Sequence, residues 1–571
     1  MNIETDHSEI EAINHRGTLG DYFRRIWKYK FHYVLIIPAM LLIFVFKLFP
    51  FIKAIYLPFV DFKIFQGVFE SDWVGLANFK ALFADPNFRN ALTNTLVIKI
   101  EYILVCGILA LILALALSSI KSLKLRGLFS TLFLIPYFIP SVIVAYLVML
   151  LLSQNNNPFF QIDELVLANP DLFQPLLVGL EVVKTCGIPI MMALAAIGFK
   201  QKGHTDFYKM NLIPAMRAIA AFMLLQLSTI LTTDFELVRT LLNPIVTQTG
   251  ETMDTYSYRT VFISASYNTA GALWIFQFMV QLMFTILAYL LIRGIFTRDI
   301  FGQSEATVIK TTGKGTNGIM GWIITLLYSI AVLIPIFLLF IYPFFAHSES
   351  ASSLSDLFST SRFFTYVCIN IAAVVIFLLI TLTLAYSLTV KDLPGRNLYK
   401  VLLIIVMGMG GVSLHEYLFA KDLGMVTTIF PQMFYGFFSI ISVLVLKSIF
   451  NSKYSVLKLK ASSEGKGELH SFFYLFIPKI WKPLLALGVL QFVALWNSYY
   501  PSLLYISGQE HYSPIMHFYA FTMGMQGMGG EFSDLIVLQY GALISLPPVL
   551  LLLIFRKWIT SEVLLGQIRK L

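Results

Sequence analysis

Residues 297–345 read TRDIFGQSEATVIKTTGKGTN, then GIMGW, then IITLLYSIAVLIPIFLLFIYPFF. The first segment, Thr297 to Asn317, is polar, rich in small residues and without periodicity, which marks a linker. The last, from Ile323 to Phe345, is apolar enough and long enough to cross a bilayer as a helix, which takes ~20 residues. A polar break followed by a fresh membrane span divides the chain. About six apolar spans precede the break, from Tyr22 to Arg298, and about six follow it, from Gly318 to Leu571. The organisation expected is a cytoplasmic tail (1–21), a first membrane domain (22–298), a linker (299–317) and a second membrane domain (318–571). Six spans before the linker return the chain to its starting side, so the repeats are parallel, not inverted.

Composition supports this. With 57% hydrophobic and only 13% charged residues, an ordinary soluble domain is excluded. Backbone groups in lipid must be satisfied internally, so the spans are helices. They are expected at 33–51, 93–119, 129–152, 174–198, 214–232, 270–294, 320–346, 362–389, 399–418, 427–450, 479–499 and 535–556. The fold class is all-α, a polytopic membrane protein of about twelve transmembrane helices. Lys28 and Lys30, Lys121 to Arg126, Lys391 to Lys400, Lys453 to Lys466, and Arg556 to Lys570 all fall on one face. The positive-inside bias makes that face cytoplasmic, with both termini there, in a cell membrane. The net charge of +9 is thus mainly topology. No basic face is interleaved with exposed aromatics, which argues against nucleic acid as a partner. Cys106, Cys186 and Cys368 all fall inside spans and suggest neither disulfides nor a metal site. The polar residues 1–21 precede an apolar run too long for a signal-peptide core, so no cleavable signal is expected.

Enzyme motifs fail one by one. Gly313-Lys314-Gly315 and Gly465-Lys466-Gly467 lack the G-x4-G-K-[ST] spacing of a phosphate loop, and His415-Glu416 lacks the second histidine of H-E-x-x-H. No catalytic residues are expected, and any energy must come from a partner or a gradient.

Two ordered series of short motifs then become informative. The first half carries Trp73-Val-Gly-Leu-Ala-Asn-Phe79, Asn90-Ala-Leu-Thr-Asn-Thr-Leu96, Arg126-Gly127 leading to Phe133-Leu-Ile-Pro-Tyr137, and Leu212-Ile-Pro214. The second carries Leu393-Pro-Gly-Arg396, Lys421-Asp-Leu-Gly424, Ile477-Pro478 with Lys482-Pro483, Trp496-Asn-Ser498 and Ser545-Leu-Pro-Pro548. In these motifs the halves resemble the two permease subunits of oligosaccharide ABC importers, of the maltose-importer type, joined in one chain. The branch handling complex plant-type or host-glycan oligosaccharides is the most similar. The resemblance implies the type I importer permease fold, carbohydrate import, and an extracellular solute-binding protein as partner. It also implies two ABC ATPase subunits that hold ATP and Mg, with no cofactor in this chain.

The family's inner loop, E-A-A-x-x-x-G, docks the ATPase. The second half aligns on Leu459-Lys-Ala-Ser-Ser-Glu-Gly-Lys466, where Ala461 and Gly465 remain, Glu464 stands for Asp, and Leu459 replaces the leading Glu. The first half is shorter, leaving Phe199-Lys-Gln-Lys-Gly-His-Thr-Asp-Phe-Tyr208. The ATPase-coupling residues implied are Lys458, Ala461, Glu464, Gly465 and Phe472, with Lys202, Phe207 and Tyr208 contributing less.

Charges within spans are costly unless paired or facing water. Glu181 and Lys184, at i and i+3, can pair on one helix face or line a path. Lys99 and Glu101 do not face each other, so each needs another partner. For sugar contact, Trp496-Asn-Ser-Tyr-Tyr500 offers Trp496, Asn497, Tyr499 and Tyr500: aromatic faces plus an amide that donates and accepts. Its counterpart, Thr232-Thr-Asp-Phe-Glu236, adds Asp234 and Glu236. Interface anchoring is the alternative role for the aromatics. Two other functions stay open: an ion-gradient-driven transporter, and a non-transporting sensor or scaffold with decayed coupling loops.

Overall fold

In the computed structural model, the described residues are 24 and 26–564, apart from 64, 155–164, 199–207, 296–317, 347–352, 391, 410–413 and 525–531. The expected tail, the linker, Lys202 and Phe207 lie outside them.

Among the described residues the regular structure is helical except for one hairpin, in which β1 (Val60–Asp61) pairs antiparallel with β2 (Asp72–Trp73). The hairpin explains the Trp73-to-Phe79 motif. Trp73 stacks on Phe59 with centroids 5.4 Å apart, and Asn78 Nδ2 donates to the carbonyls of Pro58 and Val60 at 2.9 and 3.0 Å.

The first half contains α1 (Lys30–Phe59), α2 (Pro86–Ser119), α3 (Leu123–Phe138), α4 (Ser141–Leu151), α5 (Pro170–Thr185), α6 (Gly187–Ile197), α7 (Tyr208–Thr229), the short α8 (Phe235–Leu241) and α9 (Tyr267–Ile295). The second contains α10 (Ile319–Phe340), α11 (Thr360–Leu388), α12 (Arg396–Gly408), α13 (Ile440–Ser463), α14 (Glu468–Asn497), the short α15 (Tyr500–Tyr505) and α16 (Asp534–Phe555). Among the described residues, eight helices are long and apolar enough to cross a membrane, or up to eleven if each bent pair counts as one span.

Ten expected spans thus correspond to a straight or bent helix, and the tenth (427–450) does so only in part, because α13 begins at Ile440 and runs on to Ser463. The ninth (399–418) does not: α12 has 13 residues, and the next helix, Leu414–Asp422, carries Glu416, Lys421 and Asp422. At 1.5 Å per residue, α12 alone is shorter than a bilayer core of ~30 Å.

The bends have local causes. α3 and α4 meet at 91° around Ile139-Pro140, where Ile139 is extended (φ −87°, ψ 132°) as a residue before proline tends to be. α5 and α6 meet at 46° just before Gly187-Ile-Pro189, where Pro189 has no amide to continue the ladder. A Cβ on Gly187 would lie 2.3 Å from the Phe133 carbonyl oxygen, so only glycine lets the two bends touch. The fifth span of each half opens alike, with a π-helical turn (Tyr208–Leu212; Ser471–Phe476) running into Ile213-Pro214 or Ile477-Pro478.

The halves pack reciprocally. α1 lies against α11 and α10 against α2; α9 meets α12 and α16 meets the end of α3. Each half's first helix thus packs on the second helix of the other. Close approach of α10 to α2 uses Gly321, seated on Ser119 and the Ala116 carbonyl. Apolar residues such as Ile37, Ile108, Leu327, Leu379 and Ile554 stay exposed along the outer faces, as lipid-facing residues do.

Candidate functional site: a polar cavity between the halves

Where α5, α8, α9, α13 and α14 converge, a cavity of ≈390 Å³ opens, lined by residues of both halves. The bends build its centre. The first places Ser141 at the start of α4, and the second places Lys184 at the end of α5. Asp234 caps α8, its Oδ1 accepting from the Leu237 amide at 3.1 Å. Its Oδ2 accepts from Lys184 Nζ at 2.6 Å and Ser141 Oγ at 2.7 Å, and Lys184 also donates to Ser141 Oγ. Burial pushes the Asp234 carboxyl up, but Lys184, Ser141 and the Leu237 amide together hold it below the usual range.

Lys184 therefore pairs with Asp234 and not, as expected, with Glu181. Glu181 instead lies 3.7 Å from Lys99, whose ammonium also sits 4.8 Å from the Tyr102 ring centroid. The reason is rotation: on α5 the Glu181 side chain faces Lys99 of α2, while Lys184, one turn on, reaches Asp234 at the cap of α8. The partner that Lys99 needs is found, and both groups are buried.

The two counterpart segments meet across the halves. Glu236 Oε1 accepts from Ser498 Oγ at 2.5 Å and from the Tyr500 amide at 3.1 Å, and Phe235 packs edge-on against Tyr500 with centroids 5.0 Å apart. Burial pushes the Glu236 carboxyl up to about 7, against the Ser498 hydrogen bond. Asp254, whose Oδ2 accepts from the Thr233 amide at 3.0 Å, is likewise pushed up to about 7 by burial. Asn497 Nδ2 donates to the Phe138 carbonyl at 3.1 Å, capping the broken end of α3 from the other half. A further cross-half pair, Lys47 with Glu416, borders the cavity, and Tyr505 Oη donates to Glu416 at 3.3 Å.

Of the substrate-path candidates, Glu181, Lys184, Asp234, Glu236, Asn497 and Tyr500 line the cavity. Trp496 and Tyr499 do not. Trp496 is 2% exposed, stacks on Phe492, and donates from Nε1 to the Ile544 carbonyl at 2.8 Å. Tyr499 is buried and stacks on Tyr519 with centroids 4.2 Å apart. Both are core residues, not sugar platforms. Ser141, Asp254 and Gln281 were not singled out in the sequence. Two amides one turn apart in the apolar α9, Gln277 and Gln281, were the available signal.

The inner turn of the second half is a second surface. α13 ends in a Schellman motif: the Lys466 amide donates to the Ala461 carbonyl at 3.0 Å, with Gly465 at φ 73°. α14 starts two residues after Lys466. Glu464 pairs with Lys466 at 2.8 Å, which holds the exposed Glu464 carboxyl below its usual range. Three of the expected coupling residues face inward. Ala461 and Phe472 are buried, and Lys458 lies 3.5 Å from Glu468 and over the Tyr386 ring. The outward face consists instead of Val456, Leu459 (71% exposed), Leu469, Phe473 and Tyr474 (70% exposed). In the first half, Tyr208 is exposed at the start of α7.

No protein-family model matches the chain. The polygalacturonan/rhamnogalacturonan transport system permease protein YteP of Bacillus subtilis (strain 168) is 28% identical over 281 residues, 45% of this chain and 86% of its own. The chain is a relative of carbohydrate ABC-importer permeases. Protein LplB of the same organism is 26% identical over 276 residues, 44% of this chain and 86% of its own. A solved chain of a bacterial ABC transporter involved in alginate import is 25% identical, covering 48% of this chain and 99% of its own, with a TM-score of 0.42. Each match uses most of the relative but less than half of this chain.

Proposed function

We propose that this chain is the transmembrane permease of an ATP-driven carbohydrate importer, with both permease domains (22–298 and 318–571) in one polypeptide. It is a multi-pass membrane protein and not an enzyme. The observation that carries the proposal is the cavity to which both halves contribute, since a path between halves needs lining from each. The lengths of the relatives support the fusion: the matched stretches are 86% of YteP and of LplB but only 45% and 44% of this chain. YteP is named for polygalacturonan and rhamnogalacturonan transport; for this chain, an oligosaccharide is the substrate class proposed.

An extracellular solute-binding protein delivers the saccharide to the outer face. ATP and Mg sit on a partner ATPase pair, which docks from the cytoplasm on the Val456–Tyr474 turn and, to a lesser extent, near Tyr208. The positive-inside bias of the Lys- and Arg-rich inner segments supports a topology with both termini on the cytoplasmic side of a plasma or inner membrane. ATP-driven closure of the ATPase moves α13 and α14, and coupling arises because ATP and the loaded binding protein favour the same outward-open state.

A second reading draws on the bends in α3/α4 and α5/α6, whose junctions hold Ser141 and Lys184 against Asp234. Gradient-driven carriers also use broken helices around ion sites. Uptake in cells carrying the chain separates the two. Loss of uptake on ATP depletion with the proton gradient intact, and on Leu459→Asp, supports the importer. Uptake that survives both but stops with an ionophore supports the carrier.

A further inference from the structure

The charges around the cavity do not balance, and the imbalance bears on what can pass. Two cations line it, Lys47 and Lys184, and each is already bound to a carboxylate, Glu416 or Asp234. Lys99, buried behind the cavity wall, is paired with Glu181. Arg259 is held by Glu251 at 2.7 Å, Arg239 lies over the Tyr258 ring, and neither lines the cavity. Glu236 and Asp254 also face the cavity, yet among the described residues they receive only neutral donors: Ser498 Oγ and the Tyr500 and Thr233 amides.

An independent observation points to a ligand. Gln281 is 4% exposed, lines the cavity, and makes no hydrogen bond among the described residues. Its amide faces the cavity, where only solvent or a ligand can satisfy it. Asn497 Oδ1 also lacks a partner. Both are neutral groups that suit hydroxyls, whose single oxygen donates and accepts.

We propose that the saccharide crossing this permease carries no carboxylate, and that Glu236 and Asp254 exclude uronates while Gln281 and Asn497 bind sugar hydroxyls. This rests on the carbohydrate-importer reading and narrows it. Recognition of a uronate takes a free Arg or Lys, bidentate or as a point charge. Among the described residues no unpaired cation lines the cavity, so a further anion entering this buried, carboxyl-lined space finds nothing to offset its desolvation.

The test uses cells that carry the chain in its native complex, compared with cells lacking it. Reducing-end-labelled oligosaccharides from mixed polysaccharide hydrolysates are split by ion exchange into neutral, basic and acidic pools. The chain-dependent uptake expected is from the neutral or basic pool, with the acidic pool at least tenfold lower. The Glu236→Gln, Asp254→Asn double variant should raise the acidic share severalfold, and Gln281→Leu should lower neutral uptake with the assembled complex intact. Acidic uptake equal to or above neutral overturns the charge-exclusion proposal and leaves the importer standing. Chain-dependent uptake of no pool overturns both.

Discussion

The two sides of the cavity are built from corresponding segments and differ in chemistry. At the end of its fifth span, the first half presents Thr232 to Glu236, with two carboxylates, one tied to Lys184 and one facing the partner half. At the same place the second half presents Trp496 to Tyr500, with an amide, a hydroxyl and aromatic rings. Duplication keeps the backbone plan, including the π-helical turn before each fifth span, while side chains are free to diverge. The first half holds most of the buried charge; the second supplies neutral partners to the cavity and the capped turn on which the proposed ATPase would dock.

The comparison can be broken most severely at Lys184. Lys184→Met leaves Asp234 buried with a neutral Ser141 and the α8 amide, and removing one member of a buried pair costs about 3–5 kcal/mol. A large fall in detergent thermal stability and loss of uptake are expected. The Lys184→Met, Asp234→Leu double variant should recover much of the stability; if it is worse than the single variant, the pairing is wrong.

On the other side, Leu459→Asp places a charge on the exposed face of the inner turn without touching the core. The fold should survive, with ATPase association weakened at least tenfold in a pull-down. Gly465→Val acts differently, because φ 73° is strained for a β-branched residue at about 1–2 kcal/mol, so both stability and association should fall.

Much of this plan was legible in the sequence. Apolar runs and the positions of Lys and Arg gave the spans and their proposed orientation, since hydropathy reads long helices well. The ninth span was misjudged because Val401 to Met409 is apolar while Glu416, Lys421 and Asp422 cut the run short. Glu181 and Lys184 looked like partners because i, i+3 spacing on a straight helix puts residues on one face. The contacts with Lys99 on one side and Asp234 on the other override that spacing, and no local signal reports a partner 50 positions away. Trp496 misled for a related reason: its type suits a sugar platform, but its direction is set by packing on Phe492 and Phe363.

A gentler probe uses pH. Burial raises Glu236 and Asp254 to about 7, above ordinary carboxyl values. Their protonated forms are therefore favoured in the fold, and that stability is full below the unfolded value and lost as pH rises through about 7. Melting temperature should fall by a few degrees (about 2–5 °C) between pH 5 and 8, and the Glu236→Gln, Asp254→Asn variant should flatten the slope. The smallest effect belongs to the exposed Lys63–Asp72 pair of the hairpin: Lys63→Ala should leave melting and uptake unchanged, as surface pairs contribute little.

The central claim is that one copy of this chain supplies both sides of the path. Native mass spectrometry of the complex, purified in mild detergent through this chain, tests it most directly. One copy of the 64.7 kDa chain with two ATPase subunits is the result expected. Two copies of the chain in the active complex, or active complexes without an ATPase, would contradict it.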